Sequence, residues 1–135
     1  MTSTTGYAGS WRAVARLAVL LVASTTAGTT FADTLKAGRF AGASGHAVSG
    51  AVSVERTGNR MLLRLGEDFD FDGAPDPKVA FGKNGYDAAT ILGALQSDSG
   101  GQTYAIPAGF DMSGYNEVWI WCEEFAVPLG MAKIE

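Results

Sequence analysis

Residues 47–65, AVSGAVSVERTGNRMLLRL, decide the fold class of this chain. In the first half apolar and polar residues alternate, which places Val48, Gly50, Val52 and Val54 on one face, as in a half-buried β-strand. Residues 57–59 (TGN) carry a turn signal. Residues 61–65 then return with Met, Leu and Leu at alternate positions. The stretch therefore predicts two antiparallel strands joined by a turn.

The chain that follows continues the same pattern of short strands separated by glycine and proline. Phenylalanines at 69 and 71 alternate with aspartates, and two prolines in residues 73–77 require a turn, because proline cannot lie within a central strand. Residues 87–96 suit either one helical turn or a loop. Further strands are predicted at 78–81, 102–106, 117–122 and 125–134. The sequence predicts an all-β fold, a single small β-sandwich or barrel-like domain of about seven strands.

Residues 1–32 have the pattern of a secretory signal peptide. Arg12 and Arg16 supply the positive region, residues 17–27 are uncharged and mostly apolar, and residues 30–32 (TFA) resemble a cleavage site. The apolar run is shorter than the roughly 20 residues that a spanning helix needs. We therefore expect a protein secreted to the periplasm or the extracellular space, with no membrane span after cleavage and a single domain at residues 33–135.

The predicted domain is acidic. Residues 33–135 hold all 14 acidic residues of the chain and eight of its ten basic ones, a net charge of −6. No basic patch is visible, so nucleic acid is not an expected partner. The sequence leaves the oligomeric state open.

Cys122 is the only cysteine, between Trp121 and the pair Glu123 and Glu124. An unpaired cysteine in a secreted domain suggests a reactive or intermolecular role. The two carboxylates disfavour a free thiolate, but not a metal-bound sulfur, since a metal deprotonates its own thiol ligand. The alternative is a buried cysteine that acts as a small hydrophobic residue.

His46 is the only histidine and lies at the start of a predicted strand. A histidine and Cys122 could together bind a metal or haem, helped by Met61, Met112 or Met131. The alternative is a turn histidine that bonds to backbone. No CxxCH motif is present, which excludes covalent c-type haem.

Residues 68–73, DFDFDG, match the first half of a calcium-binding loop. Counting from Asp68, the ligands would be Asp68, Asp70, Asp72 and Asp76, but Val79 stands where the loop needs a bidentate glutamate. The alternative is an acidic strand edge that faces water.

Trp119 and Trp121 alternate and therefore share a face of their strand. Core packing is the expectation for such a pair, with a surface platform for sugars or an electron-transfer partner as the alternative. No Ser-His-Asp arrangement is recognisable, so hydrolysis is not expected.

Several blocks occur together in an order that resembles the DM13 domain, a small extracellular all-β module. The similarity covers residues 37–134. The blocks are HAVSG at 46–50, an Asp-Phe segment before GAPD at 73–76, LGAL at 92–95, GQTYAIP at 101–107, VWIWC at 118–122 and FAVPLGMA at 125–132.

This resemblance implies extracellular electron transfer, in a family that also occurs beside haem-binding DOMON and cytochrome b561-type modules. It implies that Cys122 is redox-active, either bare or holding a prosthetic group, and that the redox partner is a separate molecule. Two departures are an extra residue, in GAPD at 73–76, and Leu129 where phenylalanine is common. The alternative function is a non-catalytic extracellular binding or adhesion module stabilised by calcium.

Overall fold

The structure, a computed structural model, describes residues 31–135 together with residues 6, 21, 23, 24 and 28. The signal peptide predicted at 1–32 lies almost wholly outside the described residues. Within them, no helix is long and apolar enough to cross a membrane. The elements are β1 (Asp33–Gly42), β2 (Val48–Ser49), β3 (Ala51–Thr57), β4 (Arg60–Leu65), β5 (Asp70–Phe71), β6 (Pro77–Gly82), a 3₁₀ turn (Ala88–Thr90), β7 (Gly93–Ala94), β8 (Gln102–Ile106), β9 (Glu117–Cys122) and β10 (Val127–Ile134).

Eight of these strands form one antiparallel sheet in the order β7-β6-β9-β10-β1-β3-β4-β8, which curls into a nearly closed barrel. Strands β2 and β5 make a separate two-stranded pair. The predicted all-β, barrel-like fold is confirmed.

The β3–β4 hairpin is the one that the opening stretch predicts. Val54 lies opposite Leu63 and Val52 opposite Leu65, and all four side chains are buried. The predicted single strand at 47–55 is divided at Gly50, where φ is +111°. A Cβ there would press on the backbone of Phe69, so glycine lets β2 leave the main sheet and pair with β5.

The core fills the barrel from the inward faces of the strands. Phe69 and Phe71 are buried, while the aspartates that alternate with them are exposed, as the pattern indicates. Further core side chains come from every long strand: Phe40, Val48, Val79, Phe81, Tyr104, Ile106, Val118, Ile120, Cys122, Leu129, Ala132 and Ile134.

Strand β1 is absent from the predicted elements. It lies between β10 and β3, yet Phe40 is its only buried residue. Gly38 is needed there because a Cβ would meet the carbonyl group of Lys133. A strand with one core side chain has little hydrophobic periodicity, so the pattern does not reveal it.

Two further elements differ in detail from expectation. The ambiguous stretch at 87–96 contains both a 3₁₀ turn, capped by the Asp87 side chain, and the short strand β7. The last strand begins at Val127 rather than 125, and Phe125 is 61% exposed in the preceding turn.

Candidate functional site

Cys122 is the last residue of β9, between Pro77 of β6 and Val127 of β10. Its side chain is 1% exposed and belongs to the core. The Sγ atom donates a hydrogen bond to the carbonyl oxygen of Pro75, 3.1 Å away. The thiol is therefore covered by the GAPD turn at residues 73–76.

Polar contacts at the surface hold this turn. Lys78 Nζ lies 2.7 Å from Asp76 Oδ1 and 3.7 Å from Glu123 Oε2, and the amide of Glu123 donates to the carbonyl oxygen of Asp76. The hydrogen bond to Asp76 is the main cause that raises the pKa of Lys78. Asp76 has a φ of +47°, a conformation that costs a non-glycine residue energy. The turn thus accommodates its extra residue through the strained backbone of Asp76, which the contacts with Lys78 and Glu123 hold in place.

His46 lies on the β2–β5 side of the molecule. Its Nδ1 is 2.9 Å from Asp72 Oδ1, and its ring packs on Phe71 with centroids 6.0 Å apart. The amide of Ala47 donates to the other Asp72 oxygen. That amide, and then His46, hold the pKa of Asp72 below its ordinary value. His46 thus closes the entry to β2 through a carboxylate, whereas the turn-histidine alternative expects a bond to backbone.

The structure gives no support to a haem or metal held jointly by Cys122 and His46. The two side chains share no hydrogen-bonding partner, because His46 contacts Asp72 and Cys122 contacts Pro75. A ligating sulfur needs an open direction, but this one is buried against a carbonyl group. Within the described residues, no group of three or more His, Cys, Asp or Glu side chains is arranged to hold a metal ion. The residues present do not fit such a group.

Three of the four aspartates predicted to bind calcium have separate partners. Asp68 bonds Arg39 and the amide of Ala51, which together lower its pKa. Asp72 bonds His46 and Asp76 bonds Lys78, while Asp70 is exposed on β5. These three carboxylates therefore do not converge on a common cation either. The arrangement corresponds to the water-facing acidic edge.

The expectation that both tryptophans pack in the core is wrong. On β9 the buried side chains are those of Val118, Ile120 and Cys122, so Trp119 and Trp121 point outward and are half-buried. The two rings meet edge to face, with centroids 6.4 Å apart. Their separation of two residues correctly predicts that they share a face of the strand, but it does not predict which face.

Tyr86 is the residue that sequence reasoning missed. Its ring stacks on Trp121 with centroids 4.0 Å apart and planes 5° from parallel. Burial, followed by the charges of Glu123 and Asp87, raises the pKa of Tyr86. Tyr86 comes from a loop with no periodic signal, so only the fold places it beside the tryptophan.

Comparison with known proteins bears directly on this arrangement. The family model described as electron transfer DM13 matches residues 39–134. No curated protein and no solved structure matches the chain. The match spans every strand from within β1 to the end of β10 and includes Cys122, His46 and both outward tryptophans. The chain therefore belongs to the DM13 family of electron-transfer domains.

Proposed function

We propose that this protein transfers electrons outside the cytosol and that Cys122 is its redox-active group. The family match supports an electron-transfer role, and the signal-peptide pattern of residues 1–32 supports export. The observation that carries the choice of Cys122 is its hydrogen bond to Pro75. One short turn, held by surface contacts, separates the thiol from solvent.

The chemistry open to a bare thiol is exchange with a disulfide of the partner. Cys122 gives its proton to water, and the resulting thiolate attacks one partner sulfur. A new S–S bond forms, the partner's own S–S bond breaks, and its second sulfur leaves as a thiolate. The Cys122 sulfur is thereby oxidised by one electron in a mixed disulfide, and the departing partner sulfur is reduced by one electron. A thiol of a second molecule, the electron donor, then attacks the partner sulfur of the mixed disulfide and releases Cys122 as a thiolate, so that the donor is oxidised and the first partner is reduced.

Access to the thiol requires the 73–76 turn to open. Asp76 and Glu123 are about half exposed, 42% and 51%, in their ion pairs with Lys78. Exposed pairs of this kind contribute little to stability. Local opening that breaks only such contacts is far less costly than global unfolding. A buried thiol that opens in this way is protected from indiscriminate oxidation but remains reachable by a docked partner.

The first experiment combines an absorption spectrum with a thiol titration on protein exported by its own host and purified without reductant. We expect no Soret or charge-transfer band, one thiol per chain that reacts slowly in the native state, and none in Cys122→Ser. A visible band that disappears in Cys122→Ser would replace the bare-thiol chemistry with a cofactor. A thiol that reacts only after complete denaturation would argue against Cys122 as the redox group.

Export is tested on the same preparation. N-terminal sequencing of the exported protein should begin at Asp33, the first residue of β1. Retention of the whole chain in the cytosol would contradict the proposed location without bearing on the thiol.

A further inference from the structure

The outward side of β6, β9 and β10 carries an unusual set of apolar side chains for a strand surface that faces solvent. We call it the aromatic face; its half-buried members are Tyr86, Trp119, Trp121, Pro128 and Met131. Trp119 lies opposite Met131 across the β9–β10 ladder, and Trp121 lies opposite Pro128. The set is therefore one continuous patch and not a scatter of single residues.

The patch is rigid. The Tyr86 and Trp121 rings are stacked nearly parallel at 4.0 Å, and Trp119 abuts Trp121 edge to face. Gly82 allows Trp119 to lie close to the backbone, because a Cβ there would meet its indole ring. Side chains that are fixed before binding lose little entropy when a partner covers them. Tryptophan and tyrosine are also the residue types that contribute most to protein interfaces.

The surroundings of the patch are negative at its Tyr86–Trp121 end, whereas Lys133 is exposed on β10 two positions beyond Met131 at the other end. Glu123 and Glu124 follow β9 and are exposed, and the charge of Asp87 acts on Tyr86 together with that of Glu123. Lys78 lies opposite Trp121 on β6, but its ammonium group is held by Asp76 and Glu123. Acidic residues thus outnumber the cation beside the stack, in a domain whose net charge is −6.

We propose that the aromatic face is the docking surface for a protein partner whose contact surface carries lysine and arginine around an apolar centre. The acidic rim would steer such a partner and exclude acidic ones, while the stacked rings would supply the apolar contact. The partner's role as an electron carrier rests on the function proposed above. Cys122 directly follows Trp121, so a partner docked here would sit beside the 73–76 turn that covers the thiol.

The test uses cytochrome c, a small basic redox protein, as the probe for a basic partner surface. A ¹⁵N–¹H NMR titration of the purified protein at low ionic strength should shift the amide signals of β6, β9 and the residues around 86 and 123. The affinity should fall steeply with added salt, since exposed charges are screened. Joint replacement of Glu123 and Glu124 by Gln should weaken binding several-fold and reduce the salt dependence.

Two further variants distinguish binding at the aromatic face from non-specific electrostatic attraction to an acidic protein. Glu67→Gln removes an exposed charge between β4 and β8 and should leave the affinity nearly unchanged. Tyr86→Leu leaves the charges intact but removes the stack, and should weaken binding at every salt concentration. Equal losses in Glu67→Gln and in the Glu123/Glu124 variant, or amide shifts centred on β4 and β8, would overturn the proposal.

The docking proposal and the redox proposal fail differently. If cytochrome c does not bind at low salt but Cys122 exchanges with a small disulfide such as oxidised glutathione, the docking surface is wrong and the redox function stands. If the aromatic face binds cytochrome c while Cys122 never exchanges, the docking surface stands and the thiol chemistry is wrong.

Discussion

The Sγ atom of Cys122 and the carbonyl oxygen of Pro75 lie 3.1 Å apart, although 47 positions of sequence separate them. Their contact joins the end of β9 to the turn that leads into β6. Because Cys122 is otherwise enclosed by the core, Pro75 is the polar group that the thiol meets on its way to solvent. We therefore expect the stability of the 73–76 turn to control how often the thiol becomes reachable.

The first prediction concerns the ion pairs that hold that turn. Lys78→Met keeps the length of the side chain but removes both ion pairs, to Asp76 and Glu123. Exposed pairs of this kind are weak, but they close the turn, so their loss should make local opening more frequent. The rate at which Ellman's reagent labels Cys122 in the native protein should rise about two- to fivefold.

Lys83→Met is the matched control, because Lys83 lies over the Tyr115 ring and has no ion pair to the turn. Its labelling rate should equal that of the unaltered protein. The same acceleration in both variants, or no acceleration in Lys78→Met, would show that the thiol is reached by another route.

The second prediction concerns the thiol as part of the core. Cys122→Ser keeps the size of the side chain and a donor for Pro75, but places a hydroxyl group among buried apolar residues. Burial of a polar group with imperfect bonding should lower the free energy of unfolding by roughly 1–2 kcal/mol without loss of the fold. Urea unfolding followed by circular dichroism measures this difference.

Cys122→Ala separates the cost of a buried hydroxyl group from the cost of lost contacts, since it leaves no polar group and only a small void. It should cost about 1 kcal/mol through lost contacts and the void that remains. A Cys122→Ser variant that does not fold at all would mean that the loss of redox activity in that variant says nothing about chemistry.

The strands that sequence could predict are those whose side chains alternate between water and core. The β3–β4 hairpin and β8 show this alternation and occur close to where they are predicted, while β9 is predicted from its strongly apolar run. Strand β1 is not predicted because Phe40 is its only buried residue. Its place in the sheet comes from backbone pairing with β3 and β10, which leaves little trace in the pattern.

The same limit on prediction from sequence applies to the candidate site. Sequence singles out Cys122 and predicts that Trp119 and Trp121 share a face, since both follow from residue type and period. It cannot place Tyr86 on Trp121 or Pro75 over Cys122, because both contacts join segments that meet only in the folded sheet. It also cannot show that His46 and Cys122 have different partners.

The third prediction is a loss of stability in acid. The pKa values of Asp68 and Asp72 lie below the ordinary 3.8, chiefly because backbone amides of Ala51 and Ala47 donate to them. The folded chain thus binds fewer protons than the unfolded chain in this range. The stabilisation is complete above the unfolded value near 3.8 and is lost as pH falls through the lower folded values.

Urea midpoints measured between about pH 6 and pH 2.5 test this dependence. Asp72→Asn should be less stable at neutral pH and should lose less stability on acidification than the unaltered protein. Some dependence must remain, because Asp68 and Asp111 also have lowered pKa values. Parallel acid curves for the two proteins would contradict the assignment to Asp72.

The fourth prediction concerns calcium. Since Asp68, Asp72 and Asp76 already have separate partners, a cation would have to break these contacts before it bound. The melting temperature should therefore be the same in millimolar calcium chloride and in excess chelator. A rise in calcium that disappears in Asp70→Asn would restore the calcium site and, with it, the binding-module alternative.

The fifth prediction concerns the aromatic face. Trp119 Nε1 is buried without a hydrogen-bond partner because the indole ring lies close against Gly82. Gly82→Ala would place a methyl group against that ring and against the backbone of Gly85, neither of which can move freely. Overpacking of this kind costs roughly 1–3 kcal/mol. It should also displace Trp119 from its contact with Trp121, which a changed tryptophan fluorescence spectrum would report.

Gly58→Ala is the control for a glycine substitution without a clash, because Gly58 lies in the turn between β3 and β4, where a Cβ meets open space. It carries the strain of a positive φ, +62°, without a clash, and it is far from the tryptophans in sequence. It should lower stability by about 1 kcal/mol and leave the tryptophan spectrum unchanged. If Gly82→Ala behaved in the same way, the indole would have room to shift, and the close packing on which the docking proposal depends would be contradicted.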